Sequence, residues 1–526
     1  MAEYLHPGVY IEEIERGPRP IEGVPTSTAA FLGEAERGPI EPMMVTSYKD
    51  YQRWYGDVYA RDKFLPYAVS GFFENGGKRL YVCRLVGENA TSARAAFGDA
   101  FSLRAAGPGG WGKRVFVKIV PSTTKDSTGT AIGFRIRLAY WEARDNFQPV
   151  DPFVSPPPNQ PPPQYVEDFD DLVVDESSPD FYAKRFPFID LDKGEKKEGP
   201  DSSTLAVLVR NAGAPAGARP ADGATLLSEQ GADDTTTLGP DDYEGLLRGN
   251  RTEAQGLAAL ELDPYRDVAL VYAPAVDKDI TLKIISHCEL LRFRFAAIDC
   301  AKSQTVNDLD PRTNLADTQY AAFYYPWITI SDPKTGARKL VPPGGHSLGV
   351  YARTDTDRGV FKAPANETLR GVLDLEFDIN DRDQDNLNPR GVNAIRRFPG
   401  RGIRIWGART LTSNALWKYI SVRRLFIFLE RSIYEGTQWV VFEPNDPRLW
   451  ARVTDTIRLF LRTQWRLGAL YGRTEEQAFF ITCDERVMTQ DDILNGRLIC
   501  EIGIAPVRPA EFVVFRIFQH TAEAQR

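Results

Sequence analysis

The sequence predicts an α/β protein of more than one domain. Three observations carry this. The chain has 526 residues, which at ~100–200 residues per domain makes about two to four. Hydrophobic residues make up 42% and charged residues 26%, enough for large cores and against a chain disordered throughout. Strand-length apolar runs alternate with helix-length amphipathic runs, most clearly over 267–300, where Asp267–Ala275 reads as strand, Asp277–Phe293 as helix and Arg294–Cys300 as strand. Strand, helix, strand in that order implies parallel pairing through a right-handed crossover.

Taken in order, residues 1–25 read as an arm. Pro7–Ile14 is a short strand, and the Pro- and Gly-rich stretch after it cannot hold a helix. Residues 26–100 begin a compact α/β domain. Thr28–Pro39 gives a strand and a turn. Thr46–Gly56 gives a helix with Ser47 as N-cap and Gly56 just past its end. Phe64–Gly77 is a second helix, stopped by Asn75-Gly76-Gly77, and Arg79–Val86 is a buried strand.

Residues 101–210 read as a β-rich surface insertion, with strand-like runs at Arg114–Val120, Phe134–Ala143, Phe169–Val174 and Ser203–Asn211. The prolines of Ser155–Gln164 favour an extended loop, and Ala212–Leu238 reads as a loose one. Residues 211–370 complete the α/β domain. Asp277 or Asp279 caps its helix, and Gln319–Ile330 adds a third strand. Residues 371–508 read as a second compact unit, with a strand at Gly402–Leu411 and long helices at Asn414–Thr437 and Asp446–Gly472. Asp446 is the N-cap of the latter, Pro447 its first residue and Gly472 its stop. Strands follow at Gln477–Glu485 and after Asn495. Residues 509–526 form a closing arm. Its Phe512–Phe518 segment is apolar on both faces, so it requires cover on both sides.

Chemistry is sparse. The net charge of −8 and pI near 5.4 argue against a general nucleic-acid binder, whose phosphate contacts need excess Lys and Arg. Gly107–Gly112 spells GxGxxG, but a strand pattern follows where a dinucleotide site needs a helix, so a tight glycine turn is expected. No GxxxxGK[ST] or GxSxG occurs. Asp374–Asn388 is acidic, yet an EF-hand alignment places Asn386 where glycine is needed and Val392 where a bidentate Glu belongs, which favours a solvated loop. The four histidines, His6, His287, His346 and His520, stand at no metal-ligand spacing. No catalytic residue, cofactor or metal is expected. The five cysteines form no CxxC, which favours free thiols. The opening residues lack the apolar core of a secretory signal, and no run reaches the ~20 apolar residues of a membrane helix, so folding in the cytoplasm without membrane contact is expected.

One helix invites a sharper reading. Arg458, Arg462 and Arg466 recur at i, i+4, and Arg448 and Arg452 form a second, shorter stripe. They are either a solvated face balanced by nearby acids or a docking surface for an acidic partner.

Long phrases then identify a family. His6–Pro39, Phe72–Val86, Gly107–Ile119, Asn388–Leu411, Val422–Val453 and Met488–Ile517 resemble contractile tail sheath proteins of phage tails, phage-tail-like bacteriocins and extracellular injection systems. The resemblance is weakest over residues 121–240. It implies a structural protein rather than an enzyme, with an inner domain formed by both termini, an outer domain carrying the insertion, and exchanged strand arms. Protomers would stack as hexameric rings around an inner tube, meet baseplate and terminal cap proteins, and contract. Assembly would take place in bacterial cytoplasm. By this resemblance Val9, Tyr10, Ile11 and Ile14, with Phe512, Val513, Val514, Phe515, Ile517 and Phe518, belong to the inter-subunit strands. Arg448, Arg452, Arg458, Arg462 and Arg466 become the tube contact. A non-contractile filament or surface-layer protein is the alternative.

Overall fold

A computed structural model describes residues 20–144, 147–154, 160–197, 203–234, 236–245 and 254–516. The chain divides into two units. Among the described residues, the larger comprises residues 25–358 and 363–420; the smaller comprises residues 20–24, 359–362 and 421–516. The Pro7–Ile14 strand lies outside the described residues.

The larger unit is built on a nine-stranded sheet. In spatial order its strands are Glu367–Thr368, Gly402–Ile405, Val392–Phe398, Ala321–Tyr325, Phe295–Asp299, Leu270–Tyr272, Ala29–Gly33, Leu80–Arg84 and Met43–Val45. The six from Val392–Phe398 to Leu80–Arg84 run parallel; the outer ones are antiparallel. The parallel strands are near-continuous apolar runs because both faces are covered. The expected strand-helix-strand is present: Lys278–Leu291 is the crossover helix, and the Asp277 carboxylate caps it by accepting from Ile280 N at 2.9 Å. Tyr48–Tyr55 is likewise capped by Ser47 and closed by Gly56 at φ 81°.

Two helices pack closely against each other. Leu65–Glu74 lies on Gly344–Arg358, a helix that the sequence reading did not mark. Its glycines permit the approach. A Cβ on Gly345 would lie 2.6 Å from Ala68 Cα, and one on Gly349 would lie 2.5 Å from Phe72 O.

The β-rich insertion is larger than its sequence bounds. It runs from Thr91 to Ala232 as a six-stranded and a four-stranded sheet sharing one core, with Phe101, Leu103, Ile136 and Leu138 inside. The Ala212–Leu238 stretch is not a loose loop throughout. Gly223–Leu226 and Glu229–Ala232 are edge strands, one in each sheet. Gly107–Gly112 is a turn that leads through a short 3-10 helix into the Val115–Pro121 strand. The Gln319–Ile330 run divides at Pro326, which has no N–H to give a ladder. Ala321–Tyr325 stays in the main sheet, and Ile328–Ser331 joins a three-stranded sheet. The acidic stretch is partly helical, with Asn380 capping Asp381–Leu387.

Residues 371–420 group with the larger unit rather than with the C-terminal one, because Val392–Phe398 and Gly402–Ile405 extend the main sheet. The smaller unit holds the Ile420–Gly436 helix from Ser421 on, the Pro447–Arg466 helix and an antiparallel hairpin, Phe479–Thr482 with Glu501–Ile504. The first helix starts six residues later than expected. Residues 20–24 join this unit: Ile21 packs in its core, and Val24 N donates to Ser432 Oγ at 3.1 Å.

Candidate interaction surfaces

The Pro447–Arg466 helix is amphipathic. Leu449, Trp450, Val453, Ile457, Phe460 and Leu461 are buried. Asp446 accepts from Leu449 N at 2.8 Å, and proline follows at the first helical position, where no N–H is needed. The helix ends at Arg466 rather than continuing toward Gly472, because Gly468 turns to φ 87°.

All five arginines fall on the opposite face. At 3.6 residues per turn, Arg448 and Arg466 are five turns apart and project along one line, ~27 Å from end to end. Arg452 and Arg462 flank that line, so the two sequence stripes are one surface. Its members differ in company. Arg462 donates to both oxygens of Glu475, at 2.6 and 3.3 Å. Arg458 lies 3.7 Å from Glu475 and donates to Asp455 at 3.3 Å. Arg452 lies over the Trp439 ring at 4.6 Å and 3.7 Å from Glu443. Arg448 and Arg466 are exposed, and among the described residues no acid pairs with either. Glu475 holds the Arg462 guanidinium above its ordinary value.

The second surface is the chain end. After Ile504 the backbone stays tied to the smaller unit through Val507 N, which donates to Ala469 O at 3.2 Å. Residues 510–516 then carry no regular structure. Phe512, Val513, Val514 and Phe515 are 73%, 68%, 77% and 85% exposed, so both faces of this apolar segment stand open. Ile517 and Phe518 lie outside the described residues, as do Val9, Tyr10, Ile11 and Ile14. Sequence reasoning passed over a third apolar feature in the same unit. Phe442 is fully exposed and held at φ 68°, a left-handed conformation no spacing rule announces.

At the carboxyl end of Phe295–Asp299 the larger unit fills its own cleft, whereas past Ala29–Gly33 and Leu80–Arg84 a cavity lined by Glu34, Tyr59, Lys63, Arg84 and Asp233 stays open. In open parallel sheets, ligands enter at the carboxyl ends of the strands. There the Asp299 carboxylate accepts from Gly344 N at 2.8 Å, at the start of a helix, and from Tyr272 Oη at 2.6 Å. The protein's own carboxyl group thus fills the position at the helix start where a ligand would enter. Burial, with the Arg294 guanidinium 2.6 Å away adding to it, lowers the His287 pKa to about 3; burial lowers that of His346 to about 4. His6 and His520 lie outside the described residues. Among the described residues no group of His, Cys, Asp and Glu could hold a metal ion, and no helix is long and apolar enough to cross a membrane.

The phage tail sheath central domain matches residues 241–411, and the phage tail sheath C-terminal domain matches residues 412–520, together just over half of the chain. The chain belongs to the contractile tail sheath family. A prophage major tail sheath protein of Pseudomonas aeruginosa (strain UCBPP-PA14) is 25% identical over 198 residues, covering 36% of this chain and 49% of the relative. This sheath chain spans between 27% and 61% of the length of the curated tail sheath relatives it matches. Solved structures match along their whole length. The PVC sheath complex of an extracellular contractile injection system, in its contracted state, aligns over 100% of both chains at TM-score 0.59 and 23% identity. A chain of the anti-feeding prophage baseplate, six-fold symmetrised, aligns over 98% of this chain and 100% of its own at TM-score 0.56 and 22% identity. The family's C-terminal domain begins at residue 412, close to where the smaller unit begins at Ser421.

Proposed function

We propose that this chain is the subunit of a contractile sheath, which polymerises as stacked hexameric rings around an inner tube and shortens to drive the tube through a target envelope. The observation that carries this reading is the end-to-end alignment with a sheath chain from a contracted injection system. The six-fold symmetry of the baseplate relative supports rings of six. Assembly would store the energy in a kinetically trapped extended state, so the subunit needs no nucleotide chemistry of its own.

Within that reading, the exposed Phe512–Phe515 segment pairs with a neighbouring protomer's sheet edge, together with Ile517, Phe518 and the N-terminal Val9, Tyr10, Ile11 and Ile14. Backbone hydrogen bonds form such a link, and donation from copy to copy propagates a ring or helix. The support is its exposure: an open apolar segment in an otherwise packed unit requires cover. The arginine face of Pro447–Arg466 is the tube contact, with Arg448 and Arg466 its most available charges. Baseplate and terminal cap proteins would close the two ends of the array. Electron microscopy of particles assembled with the tube protein tests the whole. Long narrow and short wide sheathed rods are expected; filaments of one fixed diameter under every triggering condition would overturn contraction.

A further inference from the structure

The hairpin of the smaller unit brings together two cysteines that sequence spacing keeps apart. Its register pairs Phe479 with Ile504 and Thr482 with Glu501. One step further, Cys483 stands opposite Cys500. Ala505 N donates to Ala478 O at 2.9 Å, which fixes the alternation of the ladder. Counting from that bonded pair, the Cys483 and Cys500 positions face each other as a non-hydrogen-bonded pair, where antiparallel Cα atoms are ~4.5 Å apart and side chains are closest. A disulfide accepts Cα separations of ~4.4–6.8 Å. Both cysteines lie on the inner face, with Phe479, Ile481, Ile502 and Ile504, in the core that includes Trp450 and Val453.

Position distinguishes this pair from the other thiols: Cys483 is buried, at 7% exposure, but lies at the rim of the core. Cys483 lines an open depression with Pro447, Trp450, Asp455, Arg458 and Asp484, and Cys500 is partly exposed. Cys83, Cys288 and Cys300 are buried in the larger unit. Burial pushes the Cys288 thiol up to about 12 and raises the other two as well. By contrast, the facing Cys500 thiol holds the Cys483 thiol below its ordinary value and is itself raised.

We propose that Cys483 and Cys500 form a redox couple that closes to an intramolecular cross-strand disulfide by exchange with a small disulfide such as oxidised glutathione. The Cys483 thiolate attacks one sulfur of the reagent, forming a mixed disulfide and expelling one thiolate, which takes up the proton Cys483 gave to water. Cys500 then loses its proton and attacks Cys483 Sγ, releasing the second reagent thiol. The protein gives up two electrons and two protons, and the reagent becomes two thiols. The bond closes the segment between the strands, including the Gln490–Leu494 helix, at the loop end of the hairpin, opposite the end from which the chain leaves toward the exposed tail. It would staple that hairpin once a particle meets oxidising surroundings.

The test uses the native full-length chain equilibrated with excess oxidised glutathione, then alkylated under denaturing conditions and mapped by mass spectrometry. Free thiols should fall from five to three, with one cross-linked peptide pair joining Cys483 to Cys500. Cys500→Ser should instead accumulate a glutathione adduct on Cys483. If that variant does not fold, the wild-type map decides alone. A wild-type chain that keeps all five thiols, or that pairs any other two, overturns the proposal.

Discussion

Arg462 grips Glu475 through two nitrogens, and Arg458 leans toward the same carboxylate from one turn earlier. This acid divides the arginine face into a neutralised middle and two open ends, Arg448 and Arg466. Reversing all of Arg458, Arg462 and Arg466 would therefore disturb an internal contact along with any docking contact. A cleaner test separates them. Reversal at the open ends, Arg448→Glu with Arg466→Glu, should leave the melting temperature within about 2 °C, as exposed changes usually do. It should reduce co-sedimentation of sheath with tube at least tenfold. Glu475→Gln frees two arginines and should leave that association equal or stronger. Undiminished co-sedimentation of the double reversal would show that the tube binds elsewhere.

Phe512–Phe515 pack little against the protomer, which makes Glu511–Arg526 the segment to delete. The truncated chain should melt like the full one and remain monomeric under conditions where the full chain forms sheath. Size-exclusion chromatography and electron microscopy read the two outcomes. Intact sheaths from the truncation would place the inter-subunit strand elsewhere.

The elements that were legible in the sequence mark themselves locally. Ser47 and Asp277 announce their helices because the cap is a side-chain contact to a backbone N–H three residues on. The parallel strands announce themselves as unbroken apolar runs. What was illegible depends on partners distant in sequence. Gly223–Leu226 and Glu229–Ala232 have no strong strand composition and are strands because a sheet edge receives them. The acid that occupies Arg462 stands thirteen residues beyond it, past the end of the helix. Cys483 and Cys500 are scattered in sequence and neighbours only through register. The Gly344–Arg358 helix was passed over because its three glycines depress helix propensity, and they are present for packing.

That packing yields a sharp prediction. A Cβ on Gly71 would collide with the imidazole of His346, which is fully buried on the facing helix. Gly71→Ala should destabilise the larger unit by about 1–3 kcal/mol, as overpacked cores do. Adding His346→Ala should restore part of the loss, because residues in contact do not act additively. Urea unfolding of the two single variants and the double variant measures the coupling. Simple additivity would mean that the cost of Gly71→Ala does not arise from contact with His346.

Asp299 gives the protein a pH dependence of a defined sign. Burial raises its carboxyl from an ordinary 3.8 to about 7, and the hydrogen bonds from Tyr272, Gly344 N and Ala275 N offset only part of that rise. An acid with a raised folded-state pKa holds its proton longer in the folded than in the unfolded chain. Its contribution to stability is therefore complete below pH ~4 and is lost as pH rises toward 7, at no more than about 1.4 kcal/mol per pH unit. Asp299→Asn keeps an oxygen for Tyr272 and Gly344 and removes the titration. Relative to this variant, the wild-type protein should lose thermal stability steadily between pH 4 and 7 and change little above that range. The difference between the two melting curves isolates this one group from the other acids. A difference that stays constant across the interval, or that grows in favour of the wild type, would show that Asp299 is ionised throughout and serves as a fixed anion at the start of the Gly344–Arg358 helix.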